Sequence, residues 1–170
     1  MYSDIIIAEI EESEIIYLED FLYEAIYKPD ENKINREITY LPEIYRYIKN
    51  FGRENDICFV AKYNAKIIGV IWSRIFSNVE PGFGYVDAET PQISMSVLKN
   101  FQQQGIGTFL LETIIKKLQV CGYKQVSLSV NLNNFVINLY YKYGFEVYKK
   151  NENSAIMIKP LINDGKSLDK

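Results

Sequence analysis

The sequence predicts a mixed α/β layer fold built on one central sheet with helices packed against it, and three observations carry that prediction. Segments with strand-like alternation and segments with helical spacing follow one another in the order β-α-α-β-β-β-α-β-α-β-β. Three consecutive strands, over residues 56–63, 66–76 and 91–97, require an antiparallel part of the sheet. The strand–helix–strand unit over residues 92–130 requires a parallel neighbour or a splayed pair.

Taken in order, Asp4 to Ile10 is the first strand-like run. Glu11 to Tyr27 reads as an amphipathic helix, with Ile15, Leu18, Leu22, Ala25 and Ile26 near one face and Ser13 as N-cap. Lys28 to Leu41 is polar, contains Pro29 and reads as a loop. Pro42 opens a second helix, which Ile44, Tyr45, Ile48 and Phe51 carry to Gly52. The strands over 56–63 and 66–76 meet at Asn64-Ala65, a hairpin in which Ala is a poorer turn partner than Gly. Ser77 to Thr90 is a loop containing Pro81, Gly82 and Gly84.

The chain is organised around Pro91 to Cys121. In its strand, Ile93, Met95 and Val97 face one way and Ser94 and Ser96 the other. A polar turn follows, and then Ile106, Phe109, Leu110, Thr113, Ile114, Leu118 and Cys121 recur at helical spacing. Gly105 and Gly107 sit in the first helical turn, although glycine costs about 1 kcal/mol against alanine in a helix interior. Two such residues there imply either a sterically tight turn or a group that must approach the backbone. A helix N-terminus with free N–H groups is an anion site, most often for phosphate. A Walker loop is absent. The dinucleotide fingerprint fails because Leu110 holds its third glycine position and no acid follows near Gln125 to Asn131. A further strand over 125–130 and a helix over 134–143 closed by Gly144 come next. Strands over 145–148 and 155–159 complete a domain spanning 1–160, and 161–170 reads as a polar tail.

Composition narrows the chemistry. The 170 residues fit one domain, 48% are hydrophobic, and the net charge of −3 does not favour nucleic acid or an anionic membrane. No apolar run approaches the ~20 residues of a membrane span, and no signal peptide is evident. Cys58 and Cys121 fit buried reduced thiols of a cytoplasmic protein. Histidine is absent from the sequence, which removes His bases and triads and most zinc sites, so no metal is expected.

The hexad Gln102-x-x-Gly105-x-Gly107, followed by Asn133 and then Leu139-Tyr140-Tyr141-Lys142-Tyr143-Gly144-Phe145, resembles the GNAT superfamily of N-acetyltransferases. The resemblance spans roughly residues 1–160 and is densest over 92–148. Gln103, Lys99 and Val136 depart from the residues common in the family, which are Gly, Pro and Ala. The resemblance implies a sheet splayed between its fourth and fifth strands, with acetyl-CoA as co-substrate in the gap. Its pyrophosphate would lie on the backbone amides of Gln104, Gly105, Ile106, Gly107 and Thr108, with Gln102 and Gln103 nearby. Its pantetheine arm would pair with the strand at Met95, Val97 and Lys99, and an N–H near Val97 would polarise the thioester.

Tyr140 matches the family's general acid, which protonates the departing thiolate, although Val136, Leu139, Tyr140 and Tyr143 also read as one core stripe. Asn133 either caps the helix or bonds the cofactor. Glu89 is the candidate base for the acceptor amine, with Asp87 and Glu80 in the same loop, and the segment 28–42 is a second candidate wall. The function expected is acetyl transfer from acetyl-CoA to a primary amine, carried by a small molecule or a peptide. A non-catalytic acyl-CoA sensor is the alternative, and a homodimer is compatible with the family.

Overall fold

The computed structural model describes residues 4–28 and 34–161. In chain order it contains β1 (Ile6–Glu9), a 3-10 turn (Glu12–Tyr17), α1 (Leu18–Ala25), a second 3-10 turn (Arg36–Tyr40) and α2 (Pro42–Tyr45). Then come β2 (Ile57–Tyr63), β3 (Lys66–Arg74), β4 (Gln92–Val97), α3 (Ile106–Val120), β5 (Gln125–Asn131), α4 (Ile137–Lys142), β6 (Glu146–Lys150) and β7 (Ser154–Pro160). The strands make one sheet in the order β1-β2-β3-β4-β5-β7-β6. All neighbours are antiparallel except β4 and β5, which are parallel.

Alternation along the strands gives the sheet two apolar faces. Ile71, Ile93, Phe59 and Ala61 pack with Leu110, Leu111, Ile114 and Leu118 of α3. Val60, Val70 and Trp72 pack with Leu18, Phe21 and Leu22 of α1 and with Tyr47. The Asn64-Ala65 hairpin forms as expected, both residues taking positive φ (48° and 60°). β4 and β5 share one register pair, Gln92 with Ser127, beside the Ser127 N–H to Pro91 carbonyl bond of 3.0 Å. Beyond it they diverge, and this is the expected splay.

Several local expectations are corrected. The first helix is not continuous over 11–27: a 3-10 turn precedes α1. Glu11, not Ser13, caps that turn, in a reciprocal box with Glu14. Glu14 also pairs with Lys62 of β2 at 2.6 Å, which draws the turn onto the sheet. The second helix stops at Tyr45 because buried Arg74 takes the carbonyls of Arg46 and Lys49, each at 2.8 Å, and Asn50 reverses the chain at φ 51°. Cys58 is buried, but Cys121 is exposed, lying past the last turn of α3. Leu161 does not begin a frayed tail: it is buried in the core and its N–H donates to the Lys124 carbonyl at 2.8 Å. The rest of the expected tail and residues 1–3 and 29–33 lie outside the described residues. Among the described residues no helix is long and apolar enough to cross a membrane, and no cluster of three His, Cys, Asp or Glu could hold a metal.

Candidate active site

The splay opens a cleft of about 990 Å³ that runs through the sheet, from the N-terminus of α3 on one face to the end of α1 on the other. Of the residues expected on the cofactor side, Met95, Val97, Lys99, Gln102, Gln103, Gly105, Gly107 and Thr108 line it.

Gly105 is the N-cap of α3 at φ 84°, a left-handed conformation that L side chains rarely adopt. Gln103 is also left-handed, at φ 60°, at the position where the family commonly has glycine. The Gln102 side chain bonds the Val97 carbonyl (2.9 Å) and the Gln104 side chain the Asn100 carbonyl (3.0 Å), which fixes the turn. Among the described residues, the backbone N–H groups of Gln104, Gly105, Ile106, Gly107 and Thr108 donate to no carbonyl. Gly107 has ordinary helical φ, and a Cβ there would meet Met95 at 3.5 Å, an ordinary contact. Internal packing does not demand glycine at 107, and the bare backbone there leaves room for a ligand to lie on it. The side chain of Ile106 is buried in the core, and that of Gln104 turns to Asn100, so these two offer only backbone.

Just past β4 the Leu98 N–H donates to the Ile68 carbonyl of β3 at 2.9 Å. Backbone groups alternate along a strand, so those of Met95 and Val97 face the gap toward β5. They are placed to pair with an amide-bearing arm, and the Val97 carbonyl is shared with Gln102.

Tyr140 reaches the cleft from α4. It is 7% exposed, and its ring packs edge-on against Phe145 with centroids 5.6 Å apart. Its hydroxyl has no hydrogen-bond partner among the described residues, and burial pushes its pKa above the ordinary tyrosine range. Tyr141 is half exposed and outside the cleft. Asn133 does not provide the cap. Its own N–H is held by Asn131 Oδ1 (2.9 Å), while Asn134 Oδ1 caps the Val136 N–H (3.1 Å). Asn131, Asn134 and Asn138 line the cleft and Asn133 does not. The adjacent Asn133-Asn134 pair signals a cap in the sequence but not which of the two provides it.

Glu89 is not brought to the cleft. Asp87 accepts the N–H groups of Glu89 (2.9 Å) and Thr90 (2.8 Å), and this turn sends Glu89 into a separate surface hollow beside Asn55 and Tyr123. Hydrogen bonding, chiefly from the Thr90 side chain, holds the Asp87 carboxyl below its ordinary range. Of that loop only Phe83 lines the cleft, because the backbone around it is pinned to the closed end of the splay. The Phe83 N–H donates to the Tyr47 hydroxyl (2.6 Å), as does the Gln92 side-chain amide (2.7 Å). Burial pushes the Tyr47 pKa up to about 12. The Trp72 indole N–H, also on the cleft wall, is buried without a hydrogen-bond partner among the described residues.

The remaining wall is the end of α1, where Tyr23, Glu24, Tyr27 and Lys28 line the cleft. Lys28 Nζ lies 3.6 Å from the Tyr23 ring centroid. Burial lowers the Lys28 pKa, with Glu24 pulling the other way. The Tyr27 hydroxyl donates to the Asn133 carbonyl (3.2 Å), bridging the segment after α1 to the loop after β5. The helical periodicity of 11–27 marks only a core stripe, so it carries no signal for these residues.

Comparison with known proteins agrees with this geometry. The model of the acetyltransferase (GNAT) family matches residues 18–145. Over 144 residues the chain is 32% identical to a protein of Sulfurisphaera tokodaii named N-alpha-acetyltransferase, covering 76% of this chain and 84% of that one. The ribosomal-protein-S18-alanine N-acetyltransferase of Escherichia coli superposes with a TM-score of 0.66 at 20% identity, over 96% of this chain and 98% of that one. The PaiA N-acetyltransferase of Thermoplasma acidophilum, solved in complex with coenzyme A, superposes with a TM-score of 0.65 at 21% identity, over 92% and 98%.

Proposed function

The chain belongs to the acetyltransferase (GNAT) family, and on that premise we propose that its acceptor is the free α-amine of a polypeptide N-terminus. It is an acetyl-CoA-dependent N-acetyltransferase that transfers an acetyl group to an amine; the acceptor class and the residue roles below are our reading. The likeness to the S. tokodaii N-alpha-acetyltransferase, which extends over most of both chains, carries the choice of acceptor. A cleft that passes through the sheet supports it, since a chain end can enter on the α1 side while the cofactor occupies the α3 side. A non-catalytic acyl-CoA sensor is not favoured.

The chain's own groups divide the work. The amides of Gln104 to Thr108, in the positive field of the α3 N-terminus, bind the pyrophosphate. The gap-facing backbone of Met95 and Val97 aligns the pantetheine arm, and an N–H there polarises the thioester carbonyl. Acetyl-CoA supplies the activated acyl group. Tyr140, kept protonated by burial, donates its proton to the departing sulfur. The same reading places the reaction in the cytoplasm, which fractionation of cells expressing the tagged protein would test. A homodimer would use exposed surface such as the edge strand β6, and light scattering distinguishes it from a monomer.

The deciding experiment incubates the purified protein with acetyl-CoA and two peptides, one with a free N-terminus and no lysine, the other N-terminally blocked with an internal lysine. Mass spectrometry is expected to find acetyl on the α-amine of the first. Acetylation of only the lysine peptide, or of neither, would overturn the assignment.

A further inference from the structure

An acceptor amine reaches the enzyme near neutral pH largely as an ammonium, and attack on a thioester requires the neutral form. Some group must bind that cation and remove its proton. With no histidine in the chain and Glu89 outside the cleft, the choice is narrow. The strand segments of β4 and β5 that line the cleft contribute no acidic side chain. Among the described residues lining the cleft, Glu24 is the one carboxylate.

Three features suit Glu24 to a substrate cation. It makes no hydrogen bond or close ion pair among the described residues, whereas Asp56, Asp87 and Glu14 are each engaged by donors. It stands in the last turn of α1, where the helix's terminal carbonyls add negative potential. It is also exposed at the cleft mouth, so a proton it accepts can pass on to water. The other charged and titratable side chains lining the cleft are Tyr23, Tyr27, Lys28, Tyr47, Lys99 and Tyr140, with Arg36 above the Tyr23 ring and Asp20 one turn back along α1. Lys28 does not neutralise Glu24 by direct contact, because its ammonium rests on the Tyr23 ring at 3.6 Å.

We propose that Glu24 is the acceptor-side catalytic carboxylate, receiving the acceptor ammonium and taking its proton directly or through one water. The inference rests on amine transfer in this cleft and not on the acceptor being an N-terminus. Of the ammonium's three protons, the first passes to Glu24 and then to solvent. The nitrogen lone pair forms the C–N bond to the acetyl carbonyl carbon. The C–S bond breaks with its electron pair staying on sulfur, which takes the Tyr140 proton. The second nitrogen proton leaves as the amide forms and restores the Tyr140 hydroxyl through solvent, and the third remains on the product amide.

The test measures kcat/KM against pH for wild type, Glu24→Gln and Glu24→Asp by thiol release. The acceptors are a peptide with a free N-terminus, an N-blocked lysine peptide and spermidine. Glu24→Gln is expected to lose about 100-fold in kcat/KM at neutral pH and to recover rate as the pH rises toward the acceptor amine's own pKa, with acetyl-CoA affinity by calorimetry unchanged. Glu24→Asp should recover part of the rate. A Gln variant within about twofold of wild type would overturn the proposal, as would loss confined to acetyl-CoA binding or turnover of none of the three amines by wild type. Transfer to spermidine or lysine alone, still dependent on Glu24, would overturn the N-terminal assignment and leave this one standing.

Discussion

Gln92 and Ser127 are the single register pair at which β4 and β5 run side by side, and both side chains clamp one loop residue. Gln92 Oε1 accepts the Gly84 N–H at 3.0 Å, and Ser127 Oγ donates to the Gly84 carbonyl at 2.7 Å. The loop over 82–84 thereby plugs the closed end of the splay and sets where the cleft begins.

That plug is tied to the sheet by Tyr47, so removing its hydroxyl leaves the buried Gln92 amide short of a partner. Tyr47→Phe should cost about 1–3 kcal/mol, measured as a lower urea midpoint at constant m-value. An unchanged midpoint would show that the hydroxyl does not hold the loop.

Arg74 and Asp56 form a buried two-pronged pair, with contacts of 2.6 and 2.9 Å and both side chains at most 2% exposed. Arg74→Met should destabilise by about 3–5 kcal/mol, because it strands the Asp56 charge and frees two carbonyls. Chemical denaturation reads the loss, and a cost below ~1 kcal/mol would contradict the burial of the pair.

Gly107 and Gln103 should respond in opposite ways. Gly107→Asp places a carboxylate where the pyrophosphate is expected, with helical φ and room for its Cβ, so acetyl-CoA affinity should fall about 100-fold while Tm changes little. Gln103→Gly relieves a left-handed side chain and should stabilise by up to about 1 kcal/mol with affinity retained. Calorimetric titration and thermal melts check both, and wild-type affinity in Gly107→Asp would refute the phosphate site.

Tyr140→Phe should lower kcat about 100-fold with acetyl-CoA binding intact. Because burial raises the Tyr140 pKa above the ordinary value near 10, its proton-bearing form persists through neutral and mildly alkaline pH. Wild-type kcat should therefore show no alkaline decline below about pH 9. A decline at neutral pH that vanishes in the Phe variant would assign Tyr140 a different ionisation.

Asp87 has a depressed pKa in the fold, so its contribution to stability is present above the unfolded carboxylate value of about 3.9 and is lost as pH falls through its lower folded value. Melts below pH 5 should show wild type losing more Tm than Asp87→Asn. Parallel curves would mean that Asp87 plays no part in acid sensitivity.

Local patterning was enough to place the strands, α3 and its glycine turn, whereas Tyr140 was singled out by the family resemblance and not by its periodicity. A period of two or 3.6 residues and a glycine at a cap are written into adjacent residues. The same local reading could not see that α2 would end at Tyr45, since the competitor for its carbonyls, Arg74, lies 28 residues from Arg46. Nor could it separate Asn133 from Asn134, or tell that Cys121 falls past the packed turns of α3. The choice between Glu89 and Glu24 shows the division most plainly. Both are acids near a predicted element, and the sequence by itself determined a mixed sheet and a glycine-capped helix start after its fourth strand. Only the tertiary structure decided which carboxylate faces the gap, because a hydrogen-bonded turn at Asp87 rotates one away while the packing of α1 on β4 carries the other to the cleft.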